Sequence, residues 1–281
     1  MNYGMRCHDL CAKSDLDTVI RKLKENNINQ IQLALAKSIA EYDFSYGHYS
    51  PGFAHMIADR FKEANVHIAV LGCYINPTNP DENKRKQEVA KFIEHLKYAK
   101  ILGADMVGTE TGRYDKNLKL NPFTYEEGCY QLLLKSMREI VSAAEKLGVT
   151  VGVEGVKTHT LYSPEMMKRF LEDIDSPNVE VILDPINLLD ENNYTEQDKI
   201  IDKAFEYYGD KISVLHMKDC KLEDNELKFE HIGDGLFKYE SVLTHIKKDK
   251  PYITMLLENS NEGRYHSDVK YLQDIYDRCE V

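Results

Sequence analysis

The sequence predicts an α/β chain folded as a single (β/α)8 TIM barrel over residues 1–281. Three observations predict it. Short β-branched runs alternate with longer amphipathic stretches from end to end. Eight such pairs are present, the barrel number, whereas an open doubly wound sheet usually has fewer repeats. The length of 281 residues also suits one barrel, which typically takes about 250. No linker rich in Pro, Gly or Ser divides the chain, so one domain is expected.

The elements follow in order. A first strand is expected over 3–8 and a helix over 15–26, with Ser14 as its cap and Asp17 in its first turn. Strand 31–35 leads to helix 51–64, and strand 67–73 to helix 82–102. Gly103 then supplies the left-handed residue that ends a helix before strand 105–110. Helix 124–147 stops in the same way at Gly148, ahead of strand 149–154. Ser163-Pro164-Glu165 places a cap, a first-turn proline and an acid in order for helix 164–174. Strand 179–184 precedes helix 196–208, which Thr195 would cap with Asp198 following. Strands 212–217 and 252–258 and helices 239–248 and 267–279 complete the set.

Bulk properties exclude some functions. A formal net charge of -11 argues against a nucleic-acid binder, which carries a basic stripe. The opening MNYGMRCHDL lacks a signal-peptide core, and no run approaches the roughly 20 apolar residues of a membrane span. A cytoplasmic protein without a membrane partner is the expectation. The six cysteines are scattered, with no Cys-x-x-Cys pair, and read as reduced, packed thiols. Cys7 and Cys11 alone make at most half of a zinc site.

The chemistry gathers at four strand ends. The runs VTVGVE, VEVILD, ISVLH and YITMLLE finish on Glu154, Asp184, His216 and Glu258. Parallel barrel strands aim their carboxyl ends into one mouth, so these four side chains are expected to converge there. Three carboxylates and one imidazole suit a single divalent ion (Mn2+, Mg2+, Co2+ or Zn2+) and leave positions open for water or substrate. Each residue taken singly is equally readable as a polar group that opens a loop.

The sequence also resembles the xylose isomerase-like TIM-barrel superfamily of sugar isomerases, sugar-phosphate isomerases and epimerases. The markers are VEG at 153–155, LDPIN at 183–187, HMKD at 216–219, IGDG at 232–235 and LLEN at 256–259. The resemblance implies that Glu154, Asp184, His216 and Glu258 bind one divalent metal and that Glu154 and Glu258 serve as acid and base. It implies proton abstraction beside a carbonyl through an enediolate, whose charge a metal stabilises. Return of the proton to the other face epimerises; return to the neighbouring carbon isomerises. An inosose-type dehydratase shares the first step. A sugar or sugar phosphate is the implied small-molecule partner, and a homodimer is a further expectation.

Other residues frame this site. His8 and Glu110 end strands and are candidates for sugar hydroxyls, or ordinary satisfied polar groups. Asn187, in DPIN, is a candidate substrate contact or a loop cap, and His231 a candidate site group or a surface histidine. Lys157 and His159, in the loop after Glu154, are candidates for an anionic group. Lys218 is expected to alternate away from the mouth, Asp219 to hold a turn, and Gly233 with Gly235 to offer N–H groups to a phosphate. Helix 82–102 and the tyrosine-rich 41–49 stretch are expected over the mouth or at a partner surface. Segment 216–235 and CYIN at 73–76 resemble the apurinic endonuclease branch as well. There Phe229, Asn187, Glu110 and Val70 stand where that branch needs Asp or His ligands, so one metal is expected rather than three. A sugar-binding barrel without turnover is the remaining alternative, since a fold does not prove an activity.

Overall fold

A computed structural model describes residues 1–280. Eight parallel strands close into a barrel: β1 (Asn2–Arg6), β2 (Gln30–Leu33), β3 (His67–Gly72), β4 (Met106–Glu110), β5 (Thr150–Glu154), β6 (Val179–Leu183), β7 (Ile212–Met217) and β10 (Thr254–Leu257). Each strand pairs with its sequence neighbour in the barrel, and β10 closes on β1 with Met5 opposite Leu257. The long outer helices are α2 (Leu16–Glu25), α4 (Pro51–Glu63), α5 (Glu82–Leu102), α6 (Glu127–Leu147), α7 (Pro164–Ile174), α8 (Gln197–Tyr208), α9 (Tyr239–Asp249) and α10 (Tyr265–Arg278). No helix among the described residues is long and apolar enough to cross a membrane.

Strand periodicity decides which side chains reach the mouth. Val70, Met106, Ile182, Val214 and Leu256 form a small buried cluster inside the barrel, separate from the main core under the helices. Side chains alternate along a strand, so two residues further on the same inward face continues with Glu258 after Leu256, His216 after Val214 and Asp184 after Ile182. Gly108 keeps this interior small enough to pack, because a Cβ there would lie 2.6 Å from Val70 Cγ1 and 2.9 Å from Ile182 Cδ1.

Helix ends follow the chemistry of their capping residues. Ser163 Oγ accepts from Met166 N–H, and Gly103 and Gly148 adopt left-handed φ of 71° and 61°. Two expected caps move. Asp15, not Ser14, caps α2 by accepting from Thr18 N–H, while Ser14 Oγ donates to the Ala12 carbonyl. A carboxylate accepts the backbone N–H more strongly than a hydroxyl does. Thr195 lies inside a short 3-10 turn (Tyr194–Glu196), and Glu196 stands at the cap position of α8 without a side-chain bond.

Three further elements depart from the expected pattern. The first strand stops at Arg6, and Cys7–Leu10 forms a helical turn, α1, so His8 does not end a strand. Leu35–Ser38 forms a second short turn, α3. Beyond β7, β8 (Asp219–Glu223) and β9 (Glu226–Glu230) make an antiparallel hairpin. Asp224 and Asn225 at its tip both take positive φ, 52° and 61°, as a tight two-residue hairpin turn requires. The 41–49 stretch packs on α4 and α5. Tyr49 stacks on Tyr98 with ring centroids 5.7 Å apart, and Gly47 N–H donates to the Glu94 carboxylate at 3.0 Å.

Candidate metal centre at the barrel mouth

Glu154 is the last residue of β5, Asp184 and Glu258 each follow a strand by one position, and His216 lies within β7. Each offers one ligand atom, and the four atoms lie within 4.8 Å of one another. All four residues are buried, and they form the one such group of His, Cys, Asp or Glu among the described residues. Cys7 and Cys11 belong to no comparable group.

The donor set fits a divalent cation. His216 Nδ1 points between two carboxylates, 3.1 Å from Glu258 Oε1 and 3.3 Å from Glu154 Oε2. Neither ring nitrogen makes a well-formed hydrogen bond, although the ring is fully buried. A buried imidazole without a partner, set among carboxylates, is what a metal ligand looks like before its ion is counted. The charges agree. Burial alone would lower the imidazole pKa, but Glu154 and Glu258 more than reverse this and hold it at about 10. The cluster thus favours positive charge at that nitrogen.

Lys218 overturns one expectation. It was expected to point away, yet its Nζ donates to Asp184 Oδ2 at 2.6 Å, Asn187 Oδ1 at 2.9 Å and Glu258 Oε2 at 2.9 Å. The reason is parity: Val214, His216 and Lys218 are two apart, so all three face inward. The Phe229 ring of the hairpin covers the ammonium at 4.2 Å. Burial would discharge such a lysine, but Asp184, Glu258 and Glu154 raise its pKa above the usual value.

Arg6, which the sequence did not single out, also reaches the cluster. Its guanidinium lies 3.0 Å from Glu258 Oε1 and donates to Asp9 at 2.7 Å. Burial works against the ionised form of Glu258, but Lys218, His216 and Arg6 hold it well below the ordinary carboxylate range. Asp184 is pushed the other way, to about 6, by complete burial that Lys218 only partly offsets. Tyr74, two beyond β3, is a further inward group; its phenol accepts from the Gln32 amide, and burial with the nearby Glu154 and Glu258 raises its pKa. The signal for Arg6 and Tyr74 was again inward parity, unmarked by any strand-end ligand type.

The remaining candidates divide. Asn187 belongs to the cluster, because its amide donates to Glu154 Oε1 at 2.6 Å and accepts from Lys218. Glu110 stands opposite Glu154 in the β4–β5 pairing, and burial together with Glu154 and Glu258 raises its pKa to about 7. His8 is half-buried with an unpartnered Nδ1; burial and Arg6 lower its pKa to about 4. Lys157 turns aside to Asp190, 3.7 Å away, and His231 binds the Asn259 carbonyl through Nδ1 at 2.5 Å, so neither belongs to the four-residue group.

Asp219 holds the turn after β7. Its carboxylate accepts from the N–H groups of Cys220, Gly233, Gly235 and Phe237 and from the Tyr239 hydroxyl. This corrects the expected phosphate cradle at Gly233 and Gly235: their N–H groups serve an internal carboxylate.

The fold is shared with known proteins. The chain is similar to a D-tagatose 3-epimerase-like protein at 20% identity, covering 99% of this chain and 98% of that one, with a TM-score of 0.75. It is similar to a 3-keto-D-glucoside 4-epimerase from E. coli in its apo form at 13% identity, with 98% and 99% covered and a TM-score of 0.74. A structure of the IOLI protein with a bound zinc atom matches at 16% identity, with 100% and 99% covered and a TM-score of 0.73. The family described as xylose isomerase-like TIM barrel matches residues 20–275. By that match, over most of its length, the chain belongs to the xylose isomerase-like TIM-barrel family.

Proposed function

We propose that this protein is a divalent-metal-dependent enzyme that isomerises or epimerises a sugar or sugar phosphate by moving a proton on the carbon beside a carbonyl. The observation that carries the reading is the placement of Glu154 and Glu258. They flank His216 from two sides in one buried cluster with Asp184. A divalent cation held by these four residues would supply the electrostatic stabilisation that an enediolate needs.

The two glutamates differ in surroundings, and the difference suits an acid/base pair. Glu258 is hydrogen-bonded by Lys218 and paired with Arg6, which fix its orientation and keep it ionised while lowering its proton affinity. Glu154 is held through Oε1 by the neutral Asn187 amide and carries no Lys or Arg ion pair among the described residues. Its Oε2 lies 3.3 Å from His216 Nδ1. Lys218 and Asn187 fix the carboxylates that they touch, so proton transfer needs little rearrangement.

The direct test is solvent deuterium wash-in at the carbon beside the carbonyl, across a panel of ketoses and ketose phosphates with Mn2+ supplied. Incorporation into at least one ketose, abolished by a chelator, is the expected result. No incorporation into any of them would reject the assignment.

A further inference from the structure

Beside the carboxylate cluster lies a hollow of about 280 Å³, lined by Tyr74, Asn76, Glu88, Glu110, Lys116 and His159 together with apolar residues such as Ile75 and Leu118. It adjoins the cluster through Glu110, which pairs with Glu154 in the β4–β5 register. Its wall is built rather than incidental. The Asn76 amide donates to the carbonyls of Arg113 and Asp115 at 2.9 Å each and accepts from Arg113 N–H at 3.1 Å. Gly112 takes a φ of 70° against that amide, where a Cβ would lie 2.1 Å from Asn76 Oδ1.

Two groups in this hollow lack an assigned task. His159 is buried, yet its Nδ1 has no hydrogen-bond partner and stands 3.5 Å from Glu110 Oε2. Burial lowers its pKa to about 3, so the ring is neutral and offers one donor and one acceptor. The Glu110 carboxyl has no Lys or Arg ion pair among the described residues. A buried polar atom without a partner carries a desolvation cost that a ligand hydroxyl would remove.

The charges around the hollow select the ligand. Glu88, Glu110 and Glu154 line or adjoin it. Nearby cations are engaged elsewhere: the Arg113 guanidinium donates to the Thr158 and Leu118 carbonyls, and Lys116 leans toward Asp81 at 3.7 Å. The glycine N–H groups of the 232–235 turn are bound to Asp219. Lys37, which makes no ion pair among the described residues, lies over the Tyr74 ring at 4.0 Å. A phosphate placed in the hollow would face the Glu88 and Glu110 carboxylates, and Lys116, the one Lys or Arg in the lining, leans to Asp81.

We propose that Glu110 and His159 are the specificity-determining pair of this site, reading hydroxyl groups on the far end of a sugar that carries no phosphate there. The assignment rests on the sugar-enzyme reading above and narrows its substrate class to uncharged, polyhydroxylated chains long enough to reach the hollow.

The test is a binding measurement that requires no turnover. Saturation-transfer NMR on the Mg2+-supplied protein would compare mannitol, glycerol and mannitol 1-phosphate, none of which has a carbonyl. Mannitol should bind, with affinity reduced about tenfold or more in Glu110→Ala and His159→Ala, while the weaker glycerol signal is unchanged. Glu110→Gln, close in shape, should lose less than Glu110→Ala. The phosphate ester should bind no tighter than mannitol. The proposal is overturned if mannitol does not bind, if both alanine variants bind it normally, or if the phosphate binds tighter and loses that advantage in Lys37→Gln. Deuterium wash-in, scored separately, decides the parent reading. Exchange confined to phosphorylated ketoses would sink this inference and leave the parent standing.

Discussion

Lys218 Nζ lies 2.6 Å from Asp184 Oδ2, and the two side chains bury an ion pair at the centre of the candidate metal site. The same ammonium reaches Glu258, so one fixed cation bridges two of the four proposed ligands. Removing one partner of a buried pair leaves an uncompensated charge and costs about 3–5 kcal/mol. Lys218→Met should therefore destabilise the metal-free protein by roughly that amount. A divalent cation replaces the lost charge, so Mn2+ should raise the melting temperature of the variant more than that of the wild type. Equal shifts in the two proteins would show that Lys218 does not balance the ligands' charge.

Glu154→Gln and Glu258→Gln test the acid/base pair. Each is near-isosteric and should leave the far-ultraviolet dichroism unchanged. Loss of a positioned acid or base typically costs about 10²–10⁴-fold in rate, so deuterium wash-in should fall by that factor in both. Glu258→Gln should also weaken the contacts of Lys218 and Arg6, and so lower stability more than Glu154→Gln does. Near-native exchange in either variant contradicts its assigned role.

Asp219→Ala addresses the turn after β7. Its carboxylate serves four backbone N–H groups and one hydroxyl. Each buried donor left unsatisfied costs about 1–3 kcal/mol, and water can re-enter to serve some of them. A loss of about 3 kcal/mol or more in urea denaturation is expected. A loss below about 1 kcal/mol would mean that the turn holds its shape without this carboxylate.

His95 carries a pH dependence away from the site. Its ring is buried, with Nδ1 against the Lys91 carbonyl at 2.9 Å and Nε2 against the Tyr49 hydroxyl at 3.3 Å. Burial lowers its pKa from 6.5 to about 4, against the smaller opposing effect of the Lys91 bond. The unfolded chain therefore takes up the proton first as pH falls. The stability that His95 contributes is complete above about pH 6.5 and is lost progressively down to about pH 4. Between pH 7.5 and 5 this amounts to about 2 kcal/mol. Paired urea titrations should show that much less pH sensitivity in His95→Gln; an unchanged slope would place the titration elsewhere.

Much of the architecture was legible locally. Gly103, Gly148 and Ser163 mark helix ends because left-handed backbone and N–H acceptance are properties of single residues. The hairpin at 219–230 was less visible, since Asp224-Asn225 reads as loop until its flanking residues pair. Lys218 stands one residue beyond β7, where the count of two from His216 still sets its inward direction.

Residue order alone determined eight strand–helix units and the four metal-competent residues at strand ends. These depend on side-chain period and short-range backbone preference, which neighbouring residues carry. Only the tertiary structure decided which inward groups meet. Arg6 reaches Glu258 because β10 closes on β1, joining segments some 250 positions apart in the chain. Lys218 bridges Asp184 and Glu258, and Asp219 takes the glycine N–H groups, because strand register brings separate loops together. Such distances are set by barrel closure and packing, and no local pattern contains them.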